Sequence, residues 1–117
     1  MFWTLSLVAA GGAIGAVLRY LTVAMVAAPV GTLLVNVLGS FAIGVLCVAL
    51  ATRGHLSPLL ITGVLGGFTT FSAFSLDALR LWEGGQGVQA GVYVAGSVIL
   101  SLMAVGAGAA LARGVLA

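Results

Sequence analysis

The chain has 117 residues, 62% of them hydrophobic and only 5% charged, with a formal net charge of +2 and a mean hydropathy of +1.33. No soluble domain of this size covers such a sequence with polar surface, so the solvent is lipid and the fold class is an all-α membrane protein. The basic residues are too few and too scattered for nucleic acid. No Ser/His/Asp set, paired carboxylates or metal-ligand cluster appears, which argues against an enzyme.

A span needs about 20 mostly apolar residues. Breaks at Pro29-Val30-Gly31, at Arg53-Gly54-His55-Leu56-Ser57-Pro58 and at Glu83-Gly84-Gly85-Gln86-Gly87 divide the chain into four such stretches. They fall near residues 3–28, 31–53, 58–82 and 89–113, a single transmembrane domain over 1–117 with almost nothing left for an extramembrane domain. Met1-Phe2-Trp3-Thr4-Leu5 lacks a basic n-region, so it reads as the first span and not as a removed signal peptide.

The first span carries Gly11-Gly12-Ala13-Ile14-Gly15-Ala16, with two overlapping small-xxx-small pairs, Gly11/Gly15 and Gly12/Ala16, that let another helix approach closely. Arg19 follows about two-thirds of the way along. It is either an interface anchor that snorkels or a functional cation at an entrance. Trp3, Tyr20 and Trp82 fall near span ends, where amphipathic rings settle at the interface.

In the second span Thr32, Asn36 and Ser40 recur at i, i+4, i+8 and share one helix face. An amide in hydrocarbon costs a few kcal/mol unless it finds a partner, so Asn36 faces protein or water. Either it makes a helix–helix hydrogen bond or it lines a polar path. Cys47 reads as a small apolar filler, and His55 as a solvated loop residue.

Pro58 after Ser57 predicts a third span whose first turn holds a proline behind an N-cap. Within that span Gly63, Gly66 and Gly67 loosen the helix, and Thr69 and Thr70 are β-branched residues whose hydroxyls compete for backbone groups. A break there leaves backbone groups unpaired, tolerated in hydrocarbon only if the backbone is buried in protein, faces a cavity or binds an ion. Freed carbonyls are oxygen ligands for a small hard cation. Phe71 and Phe74, spaced i, i+3, are either apolar packing or rings whose positive edges face a narrow polar path and attract a small anion. Asp77 and Glu83 lie late in the span or beyond it. Asp77 and Arg80 have the spacing of an ion pair.

In the fourth span Tyr93, Ser97 and Ser101 are spaced by four and form a second hydroxyl stripe. Serines are ordinary at packed interfaces, yet two donor stripes on separate helices also make a shared polar track. All these side chains donate hydrogen bonds and none is a carboxylate, which suits an anion better than a cation or proton.

Four spans put Arg53 and Arg113 on one side of the membrane and Arg19 and Arg80 on the other. Orientation normally follows the excess of Lys and Arg. A count of two against two means either too few charges to read or insertion both ways.

Three ordered motifs now bear comparison with a known family. Gly11-Gly12-Ala13-Ile14-Gly15-Ala16-Val17-Leu18-Arg19-Tyr20, Gly31-Thr32-Leu33-Leu34-Val35-Asn36-Val37-Leu38-Gly39-Ser40 and Gly63-Val64-Leu65-Gly66-Gly67-Phe68-Thr69-Thr70-Phe71-Ser72-Ala73-Phe74 are similar to the Fluc (CrcB) family of fluoride channels, in chain length and span count as well. The resemblance implies a third helix broken mid-membrane and an antiparallel dual-topology homodimer in the plasma (inner) membrane. It implies two fluoride pores, and a structural sodium ion at the dimer centre held by the backbone carbonyls of Gly66 and Thr69. It further implies that Phe71 and Phe74 line the pore with Thr32, that Asn36 donates to fluoride, that Tyr93, Ser97 and Ser101 form the fourth-helix polar track, and that Arg19 is the first-helix arginine. Ala73 departs from the family, which often has threonine there.

The expected function is passive, fluoride-selective conduction out of the cytoplasm. The competing reading, a small dual-topology drug/proton antiporter, needs a titratable carboxylate deep in a span, and none is placed there. A non-transporting membrane assembly factor leaves the two donor stripes unexplained.

Overall fold

The computed structural model describes residues 1–116. Helix α1 covers Phe2–Met25, α2 Val30–Ala49, α3 Gly66–Phe68, α4 Phe71–Glu83 and α5 Gly87–Leu116. A 3-10 turn, Gly54–Leu56, and a π-helix, Pro58–Leu65, precede α3. Taken together, Phe2–Met25, Val30–Ala49, Gly54–Glu83 and Gly87–Leu116 are four helical segments long and apolar enough to cross a membrane.

Local chemistry sets most of the ends. The first helix stops at Met25, short of the expected 28, because Val26 is already extended (φ −122°, ψ 102°) on the approach to Pro29, a residue type that disfavours helix before it. Pro29 itself is helical in φ and ψ and immediately precedes α2, where its missing N–H leaves nothing unpaired. α2 ends at Ala49 instead of 53. The Leu50 amide closes the last α-helical turn on Leu46, and the Arg53 amide closes a tight turn on Leu50.

Ser57 is not an N-cap. It has helical dihedrals (φ −59°, ψ −43°) and its side chain makes no capping bond, since the 3-10 turn runs straight into Pro58. The first real cap in this segment is Thr70. Thr69 (φ −85°, ψ 155°) and Thr70 (φ −152°, ψ 120°) are both extended, between α3 and α4. The Thr70 hydroxyl then accepts from the Ala73 amide at 3.1 Å and starts α4.

α1 packs on the π-helix and α3, while α2 packs mainly on α5. Backbone meets backbone in both pairs. A methyl group at Gly15 would strike the Val64 carbonyl, and one at Gly67 would strike the main chain of Gly12 and Ala16. Gly63 and Gly67 therefore lie in close backbone contact with α1. On the other side Gly44 lies against the Val105 carbonyl and Gly108 against that of Phe41. Close approach of this kind maximises dispersion where lipid offers no hydrophobic driving force.

The core is consequently thin. Val35 and Thr32 are fully enclosed, and Leu65, Phe74, Ala90 and Ala112 are buried. Trp3, Tyr20 and Trp82 stand on the outside. So does Cys47, which is exposed and fills no gap: Gly44, one turn earlier in α2, is the residue turned toward α5.

Candidate functional site

The extended pair Thr69-Thr70 is held by side chains from two other helices. In a continuous helix the Thr70 amide would bond to the Gly66 carbonyl and the Ala73 amide to the Thr69 carbonyl. Neither does so here. Thr70 N donates to Asn36 Oδ1 at 2.8 Å, and Asn36 Nδ2 donates to Thr70 O at 2.9 Å. The Ala73 amide goes to Thr70 Oγ1.

The ladder's last regular bond is from the Thr69 amide to Leu65 O at 3.0 Å, and Thr69 Oγ1 reinforces it at 2.9 Å. Arg19 reaches in from α1, its Nε donating to Gly67 O at 3.1 Å. A guanidinium and a carboxamide thus satisfy main-chain groups that the interruption leaves without helical partners, as an apolar medium demands.

Beside this interruption lies a cavity of about 390 Å³, lined by residues of α2, the third segment and α5. Asn36 and Ser40 enter it from α2, Gly66, Thr69, Phe71 and Phe74 from the third segment, and Ser97 and Ser101 from α5. The structure therefore gathers seven of the ten candidate residues: Asn36, Gly66, Thr69, Phe71, Phe74, Ser97 and Ser101. Thr32, Tyr93 and Arg19 do not line it. Thr32 is buried, Tyr93 sits behind Phe74, and Arg19 is bound to Gly67.

The two phenylalanines differ sharply. Their rings meet edge to face, with centroids 5.4 Å apart and planes at 61°, a geometry that satisfies the ring quadrupoles. Phe74 is 8% exposed and leans on Tyr93 with centroids at 5.3 Å. Phe71 is 78% exposed, so a single chain leaves one ring of the pair uncovered.

Among the polar groups, Ser97 is buried to 5% exposure and its Oγ is the one enclosed side-chain polar atom without a hydrogen-bond partner among the described residues. Such a group carries a desolvation cost unless something in the cavity pairs with it. The periodicity of α5 puts Ser97 on one face with Ser101, the face that lines the cavity, but no sequence signal marked it as unpartnered.

Asp77 is buried inside the third segment and accepts a hydrogen bond from Tyr93 Oη at 3.2 Å. Its expected ion pair with Arg80 is absent: Asp77 turns inward to α5, while Arg80 is exposed. Tyr93 accordingly spends its hydroxyl proton on a carboxylate. Sequence reasoning missed this pair because it joins residues on different helices. No cluster of three or more His, Cys, Asp or Glu able to hold a metal occurs among the described residues.

Comparison with known proteins adds an independent line. Residues 6–109 match the model of the family described as CrcB-like protein, Camphor Resistance (CrcB). A protein of Cereibacter sphaeroides named fluoride-specific ion channel FluC is 54% identical over 121 aligned positions, which cover 97% of this chain and 98% of that one. Proteins of the same name from Roseobacter denitrificans (56% identical, covering 96% and 97%) and Paracoccus denitrificans (52%, covering 94% of each) are similarly alike. The relatives carry the name of an ion channel and not of an enzyme.

Proposed function

This chain belongs to the CrcB family, and we propose that it is a fluoride-selective channel that lets the ion run passively out of the cytoplasm and protects the cell from its toxicity. Fluoride enters as uncharged HF and is trapped as the anion at neutral pH, so a passive anion path is enough to clear it. The observation that carries this reading is the cavity in which neutral donors, with no lining carboxylate, meet an edge-to-face phenylalanine pair. The names of the relatives support the choice of ion.

In this reading Ser97 and Ser101 offer hydroxyl protons to a desolvated anion. Asn36 keeps one amide hydrogen for it, because only one of the two on Nδ2 is needed for Thr70 O. Phe71 and Phe74 present positive ring edges, which attract the anion without holding it so tightly that it cannot leave. Thr32, Tyr93 and Arg19 act at one remove, Tyr93 through its ring contact with Phe74 and Arg19 through the Gly67 carbonyl.

The working unit is a homodimer of antiparallel copies, multi-pass in the plasma membrane, with the interruption at Thr69-Thr70 lying mid-membrane. Support comes from Phe71 and Gly66, which line the cavity yet are exposed in one chain, so a second copy would complete the wall. The sparse and nearly balanced charge at the span ends, Arg53 and Arg113 on one side and Arg80 on the other, supports insertion in both orientations.

The Gly66 and Thr69 carbonyls fit a structural sodium ion. They are hard oxygen donors, and the amides that would otherwise occupy them are bonded elsewhere. A sodium ion held by these two carbonyls would supply positive charge beside the interruption at Thr69-Thr70.

The test is ion release from liposomes carrying the purified protein, read with a fluoride electrode beside a chloride control. Fast fluoride release with chloride retained is the expected result. Comparable release of both ions would remove the selectivity claim, and release of neither the channel claim.

A further inference from the structure

We infer that Asn36 and Thr70 are positioning residues for the cation: their side chains divert the two amides that would otherwise cap the Gly66 and Thr69 carbonyls, and so make those oxygens available as ligands. The inference rests on the proposed sodium site and assigns it a cause within the chain. It gives Asn36 a structural duty separate from any donation to the anion.

The pairing of amide to carbonyl is specific. Gly66 O loses its helical partner because Thr70 N is taken by Asn36 Oδ1 at 2.8 Å, from a residue 34 positions earlier. Thr69 O loses its own because Ala73 N is taken by Thr70 Oγ1 at 3.1 Å. Between them, Gly67 O is already engaged by Arg19 Nε. The side chains therefore sort the carbonyls of this segment, engaging Gly67 with a cation of the protein's own and withholding amides from Gly66 and Thr69. Asn36 also returns a bond from Nδ2 to Thr70 O, which fixes the orientation of the Thr70 peptide and prevents the helix from closing through it.

Neither diversion is possible for an apolar side chain of the same size. Leu at 36 offers no acceptor to Thr70 N, and Val at 70 offers none to Ala73 N. In an apolar surrounding the released amides would turn to the nearest free oxygens, the Gly66 and Thr69 carbonyls, and compete with the cation for them. Ser at 70 keeps the hydroxyl and should keep the site.

The experiment uses the full-length purified chain without fluoride, so that anion throughput plays no part. Melting midpoint is followed across a sodium chloride titration, with N-methyl-D-glucamine chloride holding ionic strength constant. Sodium retained through desalting is measured by atomic emission. A ligand bound only to the native state raises the midpoint saturably.

Wild type and Thr70→Ser should agree within about twofold in half-saturating sodium, or in sodium retained. Asn36→Leu and Thr70→Val should need at least about tenfold more sodium, or retain none, a loss of roughly 1.4 kcal/mol or more in cation binding. If Asn36→Leu does not fold, Thr70→Val, which removes one hydroxyl, decides. Wild-type sodium response in these variants overturns the inference while leaving the site intact. A wild type that neither shifts nor retains sodium removes the site itself, and the inference with it.

Discussion

Asn36 and Thr70 exchange two hydrogen bonds, Nδ2 to the Thr70 carbonyl at 2.9 Å and the Thr70 amide to Oδ1 at 2.8 Å. A side-chain amide here does what a neighbouring strand does for an extended residue, and it does so from another helix. Asn36→Asp keeps the volume and the acceptor but removes the donor and adds a charge beside the anion path, where like charges repel strongly in low dielectric. Fluoride release should be abolished while the folded protein still purifies, with a stability loss of about 1–3 kcal/mol for the broken bond. Flux at the wild-type rate would show that Asn36 does not face the ion.

Ser97 invites the opposite dissociation of stability from flux. Its buried Oγ has no partner among the described residues, so Ser97→Ala removes a desolvated group without breaking a bond. Thermal stability should hold or rise, by up to about 1 kcal/mol, while fluoride release falls at least tenfold. An unaltered rate would make Ser97 a packing residue.

Replacing Phe71 or Phe74 by Ile supplies apolar bulk without a ring quadrupole. Phe71 is largely exposed and Phe74 buried, so Phe71→Ile should barely change the melting temperature and Phe74→Ile should cost no more than about 1.5 kcal/mol. Both should lower fluoride release more than tenfold. Phe68→Ile, outside the cavity lining, serves as the internal control and should be milder. Equal and small effects at all three positions would reduce the pair to packing.

The glycines of α1 separate by contact. Gly15 faces the Val64 carbonyl, whereas Gly12 has open space on its Cβ side. Gly15→Ala should destabilise by about 1–3 kcal/mol through overpacking and lower the yield of folded protein. Gly12→Ala should be neutral or stabilising, by up to about 1 kcal/mol. Thermal melts of the two variants in one detergent would settle the matter; equal losses would contradict the packing of α1 on the third segment.

The proposed dual topology rests on the split of arginines between the two sides. In intact cells a C-terminal tag should be reached by an impermeant reagent on only part of the population. Adding two or three lysines to one terminus should fix the orientation and lower flux by depleting one half of the proposed antiparallel pair. Complete protection or complete accessibility of the unmodified chain would exclude dual insertion.

Hydropathy alone determined the four membrane-length helices, because a span of about 20 apolar residues has no other stable place. The 3.6-residue period likewise put Ser97 and Ser101 on one face of α5, and Asn36 and Ser40 on one face of α2, since spacing along a helix is local geometry. Helix ends were legible only to within a few residues. They depend on how Val26, Leu50 and Ser57 turn, which neighbours decide as much as residue type. What periodicity could not supply was pairing between helices. Asn36 on the Thr70 backbone, Arg19 on Gly67, Tyr93 on Asp77 and Gly44 against Val105 each join residues at least 16 positions apart. Which of several polar residues on a face meets a given amide depends on the depth and rotation at which two helices pack. That register is set by backbone-to-backbone contact at glycines such as Gly15 and Gly67, and it exists only once the chain has folded.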